Sequence, residues 1–463
     1  MTGVTAGPER RSLEPLAQLS RQIDSACVGA VQPLELAAIL EAEGLTDKVV
    51  RERYGQDSVF ECAQLLYAMV PHRASPKPFV VPGPQSPSWQ NLLRGVIYLL
   101  PALWTPHALA VSGGVYEGAG LGLLVATLFG WGWMQGMAYL GYVVLSSNQV
   151  EAHRRLRAVG LGAAAFSVLV AAALATAVHQ DVPQVMLATA GISLYLAAAT
   201  TLLVLGREAA LLLSALPALA WMAAQLRWPG LVPGGPTSLL FIAVAVPAGF
   251  AALPPRAEPR HAGRLPGLSW RAATPHMLYG WLCAACMSLV LLDPFHTRPA
   301  GELLGASWSV APLILSLGLM ELQLRHLHAG LRRQSRLMSS LRRIVWRAAG
   351  EVGLRCSQYV LVLGAAYAVV GWLVPRLGMT ALPAPLLLGH VLMGLALMFS
   401  GLLINFAQLR WVLGVWGVAL GTQLTQLLHG QDATQAYALG AGVASVLLFF
   451  LSALAVRDVR HLG

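Results

Sequence analysis

One acidic residue, Glu321, interrupts a long apolar run, and a string of arginines follows it: Arg325, Arg332, Arg333, Arg336, Arg342, Arg343 and Arg347. Glu321 and Arg325 are spaced i,i+4, so on a helix they can pair. The guanidinium fork grips phosphate oxygens in two places, which an ammonium cannot do. Each arginine beside an anionic surface contributes about 1 kcal/mol. Glu321, Arg325, Arg332, Arg333 and Arg336 therefore make a candidate recognition element for anionic headgroups or a lipid diphosphate. Without a ligand, the same pattern is an amphipathic helix lying on anionic lipid, with Leu324, Leu327, Leu331, Leu337, Leu341 and Ile344 along one side. Other polar residues fall inside apolar runs: His107 directly after Pro106, Gln135, His390, Asn405, Gln423 and Gln426. Polar groups at membrane depth are costly and serve function or helix packing. For most of these an interhelical hydrogen bond, worth about 0.6 kcal/mol, is the simple reading. His107 and His390 join the substrate-binding candidates.

Other chemistries are excluded by what is missing. The sequence holds no GxxxxGK[ST], no GxGxxG, no HExxH and no GxSxG, so nucleotide-driven work, metalloproteolysis and serine hydrolysis lack their groups. Cys283 and Cys286 form a CxxC inside the apolar run from Trp281 to Met287, without a second CxxC or a His pair nearby. One turn of small buried side chains accounts for them. Five cysteines, two of them (Cys27 and Cys62) near the N-terminus, imply no disulfide framework. No enzyme, metal or cofactor is expected.

The elements that must carry these residues follow from composition. Of 463 residues, 56% are hydrophobic and 11% charged, where soluble domains carry about 25% charged residues. A bilayer accommodates that surplus, each spanning helix using roughly 20 apolar residues. Apolar segments fall near 92–112, 118–146, 158–178, 184–205, 209–226, 237–254, 276–292, 303–322, 355–374, 384–404, 409–428 and 435–456. No apolar stretch backs the charges of the first eleven residues, so no cleavable signal is expected and the N-terminus stays inside. Eighteen arginines then fall on inner loops and the C-terminal tail, against Arg227, Arg298 and Arg376 outside, as the positive-inside rule requires. The expectation is an all-α, polytopic inner-membrane protein of about 12 transmembrane helices, both termini cytoplasmic. Its parts are a helical bundle at 1–70, a Pro-rich linker at 71–90, six-helix lobes at 91–254 and 276–463, and a cytoplasmic linker at 255–275. A basic amphipathic helix is expected at about 323–350.

The charge of +10 lies in the membrane part, because residues 1–80 hold eight Lys/Arg against ten Asp/Glu. The segment 36–50 has the outline of a helix-turn-helix, but its acidic surroundings exclude nucleic acid as a partner.

Twelve spans with both ends inside, a six-plus-six division, and an eighth span running through Glu321 into Arg325 and the following arginines resemble the polysaccharide flippases of the multidrug/oligosaccharidyl-lipid/polysaccharide superfamily. Within it, the pattern is most similar to the membrane transporter of Pel-type exopolysaccharide systems. The aromatic and second acidic positions of that pattern are Leu, Gln and His here. The resemblance implies movement of a glycan or lipid-linked glycan across the inner membrane, through a V-shaped cavity between two lobes. Its partners would be anionic lipid or the lipid-linked glycan, with cytoplasmic glycosyltransferases recruited by the 1–70 bundle. Two other readings compete. The major facilitator fold usually places Asp-Arg-x-Gly-Arg between spans two and three, where the loop from Ser147 is basic but has neither the Asp nor the Gly. A non-transporting scaffold or assembly subunit would also suit spans so poor in charge.

Overall fold

The computed structural model describes residues 15–16, 18–20, 32–42, 45–69, 93–100, 119–145, 149–228, 235–254, 269–297, 300–337, 341–376 and 380–457. Within these, the side chains of 42, 119–120, 226, 235–241, 291–297, 300–308, 332–337, 341–344 and 457 lie outside the description. The chain divides into two compact units, Met1–Gly83 and Pro84–Gly463.

The first unit contains α1 (Pro33–Ala42), α2 (Asp47–Tyr54) and α3 (Val59–Met69). Pro33 opens α1, and Gly55, at φ 70°, closes α2 in the left-handed conformation that glycine adopts without cost. Asp47 reaches twelve residues on and accepts the Val59 N–H at 2.7 Å, tying the start of α3 to that of α2. Leu16, Leu19, Leu36, Leu40, Val50, Cys62 and Leu66 form its apolar core. Burial pushes the Cys62 thiol up to about 11, so it packs as a small apolar group.

The second unit is a multi-pass membrane domain. Its helices are α4 (residues 93–100), α5 (Ala119–Leu145), α6 (Gln149–Ala177), α7 (Val182–Val204), α8 (Glu208–Arg227), α9 (Gly235–Ala252), α10 (Trp270–Thr297), α11 (Ala300–Leu337), α12 (Leu341–Arg376), α13 (Ala384–Asn405), α14 (Leu409–Leu428) and α15 (Ala433–Arg457). Eight of these, α5 to α8 and α12 to α15, are long and apolar enough over their described residues to cross a membrane. Some side chains of α9, α10 and α11, and the chain on either side of α4, lie outside the description. Exposed tryptophans mark helix ends, at Trp228, Trp270, Trp346, Trp372 and Trp411, as in the aromatic belts of membrane proteins. Arg376 lies 3.7 Å from the centre of the Trp372 ring.

The apolar interior falls into separate clusters. One joins α10 to α15. Another joins Ile97 and Leu100 of α4 to α7, α8 and α9. Between α5 and α10 the packing is of backbone on backbone. A Cβ on Gly280 would lie 2.7 Å from the Gly132 Cα and 2.8 Å from the Trp131 carbonyl oxygen. Small residues let membrane helices approach this closely. Tyr139 stacks on His276 alongside, with ring centres 4.5 Å apart.

Among the described residues the same left-handed helix end follows α6 at His179, α7 at Gly206, α13 at Ala407 and α14 at Gly430, and two of these lie in three-residue connections. The α7–α8 turn passes through Gly206 at φ 68°, with Gly206 N–H donating to Leu203 and Arg207 N–H to Leu202. The α13–α14 turn passes through Ala407 at φ 58°, with Ala407 N–H donating to Ile404 and Gln408 N–H to Leu403. Each has three residues between helices.

The basic amphipathic helix expected at about 323–350 takes a different form. α11 runs 38 residues, about 57 Å at 1.5 Å per residue, well beyond the roughly 30 Å of a hydrocarbon core. Residues 338–340 lie outside the description, and α12 begins at Leu341. Leu324, Leu327 and Leu331 do not face lipid headgroups: they are buried in the same cluster as Ala348 and Cys356 of α12. The leucine stripe packs within a helical hairpin, because a second long apolar helix follows at once to cover it.

Candidate functional site

The α7–α8 turn sets Glu208 at the first position of α8. A carboxylate there suits the partial positive charge of a helix N-terminus. Next to it lies Arg94 of α4, which donates through Nη2 and Nε to the same Glu208 oxygen at 2.6 and 3.2 Å. Its Nη1 donates to Glu321 Oε2 on α11 at 2.8 Å. Tyr98, one turn beyond Arg94, donates to the other Glu321 oxygen at 3.1 Å. Both oxygens of Glu321 are thus taken across helices. The side chains of Arg94, Glu208 and Glu321 are 19%, 16% and 26% exposed, a partly wet site where ion pairs are less costly than in a dry interior.

Close by, three cationic or imidazole side chains hold the last carbonyls of α9 and that of the residue after it. His153 meets the Ala251 oxygen at 2.8 Å, Arg157 the Ala252 oxygen at 3.4 Å and Arg207 the Leu253 oxygen at 2.9 Å. Positive groups there satisfy orphan carbonyls and the helix dipole together.

His390 lies elsewhere. It is 1% exposed on α13, with Nε2 3.2 Å from Ser309 Oγ of α11 and Nδ1 2.9 Å from the Tyr437 hydroxyl of α15. The Tyr367 ring of α12 stacks on it at 5.4 Å and donates its hydroxyl to the Ser309 carbonyl at 3.0 Å. One turn to two turns along, Ser316 bonds Tyr359 at 2.8 Å. Four helices are joined by neutral groups, and both imidazole nitrogens are occupied.

The sequence-derived candidates are therefore split. Glu321 belongs to the Arg94 cluster, Arg325 lies four residues further along α11, and His390 belongs to the buried network. Arg332, Arg333 and Arg336 lie on α11 with side chains outside the description, and His107 is outside the described residues. Gln423 departs from the interhelical hydrogen bond expected of it: it is 1% exposed, and among the described residues its amide oxygen and nitrogen have no partner. Its stem lies against Gly440 of α15, where the missing Cβ leaves it room. Sequence reasoning missed Glu208 and Arg94 as members of the site. The signal for Glu208 was a lone carboxylate at the start of an apolar helix. Cys283 and Cys286 are buried in the α10–α15 core as expected. Among the described residues no three His, Cys, Asp or Glu side chains are placed to hold a metal ion.

No protein-family model matches the chain, and no curated protein matches it. Solved structures similar to it include a multidrug resistance MATE family transporter of the MOP superfamily in its inward-facing conformation, at 13% identity and TM-score 0.45, over 81% of this chain and 96% of that one. A MATE protein in the bent conformation is similar at 14% identity and TM-score 0.49, over 81% and 94%. A eukaryotic MATE transporter is similar at 13% identity and TM-score 0.46, over 81% and 96%.

Proposed function

We propose that the chain is a transporter, a flippase-like exporter that moves a polysaccharide or lipid-linked glycan across the inner membrane. In this reading twelve spans form two six-helix lobes, with both termini in the cytoplasm. The observation that carries it is the Arg94 cluster, which ties α4 and α8 to α11 through ion pairs at one end of the bundle. Such a pair can close one end of a transporter and open again without any charge entering the apolar interior. The two three-residue connections support the two-lobe reading, since they join the fourth to the fifth and the tenth to the eleventh helix of the unit. Internal repeats of this kind are common in transporters. Arg325, Arg332, Arg333 and Arg336 are the proposed landing site for a lipid diphosphate at the inner leaflet.

The test is reconstitution in vesicles holding a fluorescent lipid-linked oligosaccharide, followed by a membrane-impermeant quencher. Vesicles with the protein should move label between leaflets faster than empty ones. Replacing the four arginines by lysine should slow that movement, since it keeps the charge and removes the forks. Movement no faster than in empty vesicles overturns the reading. It would favour the scaffold, which the exposed Leu34, Phe60, Leu65 and Met69 of the N-terminal bundle support as a surface for a cytoplasmic partner.

A further inference from the structure

Hydroxyls on α6 and α7 bond back to their own helices. Ser167 donates to the Ala163 carbonyl at 2.9 Å, Thr189 to that of Val185 at 2.7 Å, and Thr200 and Thr201 to those of Leu196 and Ala197 at 2.8 Å. A hydroxyl inside a helix finds its nearest acceptor there. Ser193, between Thr189 and Thr200 on α7, departs from the pattern. It is 5% exposed, and among the described residues its Oγ has no hydrogen-bond partner. The same holds for the fully enclosed Nε1 of Trp133 on α5. Leaving such groups buried and unpaired is costly.

Trp133 and Ser193 line one cavity of about 10 Å³ between α5, α6 and α7, together with Ser167. That is about the least space in which one water fits. The lining selects the occupant. No charged residue contributes to it, so an ion of either sign would be stranded there. An apolar occupant would leave the indole N–H and the Ser193 hydroxyl as they are. A neutral molecule of one heavy atom that both accepts and donates hydrogen bonds satisfies them together.

We infer that this cavity is a binding site for a single water. The water accepts from Trp133 Nε1, bonds Ser193 Oγ, and donates its remaining proton to Ser167 Oγ, whose own hydrogen is engaged by Ala163. Three bonds are what a buried water ordinarily makes. The indole ring held in this way meets Phe166 of α6 edge-on, and likewise Trp270 and Trp281 of α10, with ring centres 5.8, 6.4 and 6.2 Å apart. One water and one ring thus tie a hydroxyl of α7 to α10, beside the close approach of Gly132 and Gly280.

Proton-detected solid-state NMR of the full chain in lipid bilayers, with isotope-labelled tryptophan, tests the site by polarisation transfer from water to the indole N–H groups. Trp416 is the internal control: it is 0% exposed, and its Nε1 donates to Ser400 Oγ at 2.9 Å. The Trp133 signal, identified by its loss in Trp133→Phe, should gain water polarisation severalfold faster than that of Trp416. Ser193→Ala should remove most of the difference, because it takes away one of the water's partners. If Trp133→Phe does not fold, the signal is identified by its shift in Ser193→Ala. Transfer to Trp133 no faster than to Trp416 overturns the site. Fast transfer that Ser193→Ala leaves unchanged overturns it too, since water would then reach the indole without the hydroxyl.

Discussion

Two polar clusters share α11, and they are built from opposite materials. Ser309 of the His390 network and Glu321 of the Arg94 cluster are twelve residues apart, about 18 Å along the helix. At Glu321 the groups are ionised and 16% to 26% exposed. At Ser309 they are hydroxyls and an imidazole, with His390 at 1% exposure. An ion that keeps some contact with water loses only part of its solvation. A fully enclosed one loses nearly all of it and must be neutral or perfectly matched. Between these two levels the chain changes from charge to neutral hydrogen bonding along a single helix.

The sharpest way to break this contrast is to put a charge at the neutral level. His390→Lys would place an ammonium among Ser309, Tyr367 and Tyr437, none of them a carboxylate, at a cost of about 3 kcal/mol. Thermal unfolding in detergent should show a large loss of stability or no folded protein at all. A wild-type transition would mean that the two levels do not differ as described. A smaller effect is expected from removing the cation at the ionic level. Arg94→Leu leaves the carboxylates of Glu208 and Glu321 without their shared partner, and should cost about 1–2 kcal/mol given their partial exposure. Adding Glu321→Gln should recover part of that loss in the same measurement, because it removes one of the two charges. A double variant less stable than the single would contradict the ionic account. The smallest effect is expected at Tyr437→Phe, which keeps the ring against His390 and deletes one hydrogen bond, about 0.6 kcal/mol. A loss as large as that of His390→Lys would show that the network depends on that hydroxyl rather than on neutrality.

These expectations also mark what could be seen in the sequence. Glu321 and His390 stood out because a carboxylate or an imidazole is rare in an apolar run. Their partners did not. Ser309, Tyr367 and Tyr437 are ordinary in membrane helices, and nothing local marks a hydroxyl as bonded. Arg94 pairs with residues 114 and 227 positions away, so no spacing rule could connect them. The helices themselves were legible, since runs of apolar residues are their direct cause. The likeness of the α7–α8 and α13–α14 turns was hidden for the opposite reason: Leu-Gly-Arg and Phe-Ala-Gln share almost no chemistry, and only the backbone repeats. Ala407, like Gly206, is the left-handed residue after a helix, where its own N–H and the next one close the last carbonyls.

Gly280 carries a consequence for how this protein can diverge. In most of a core, an enlarged side chain can be accommodated by shrinking a neighbour, so sequences drift while total volume holds. Opposite Gly280 stand the Cα of Gly132 and the carbonyl of Trp131, atoms that every amino acid possesses and none can give up. No second substitution makes room for the first. As homologues diverge around it, this position has no exchange partner, and a lineage that loses the glycine must separate the two helices or return to it.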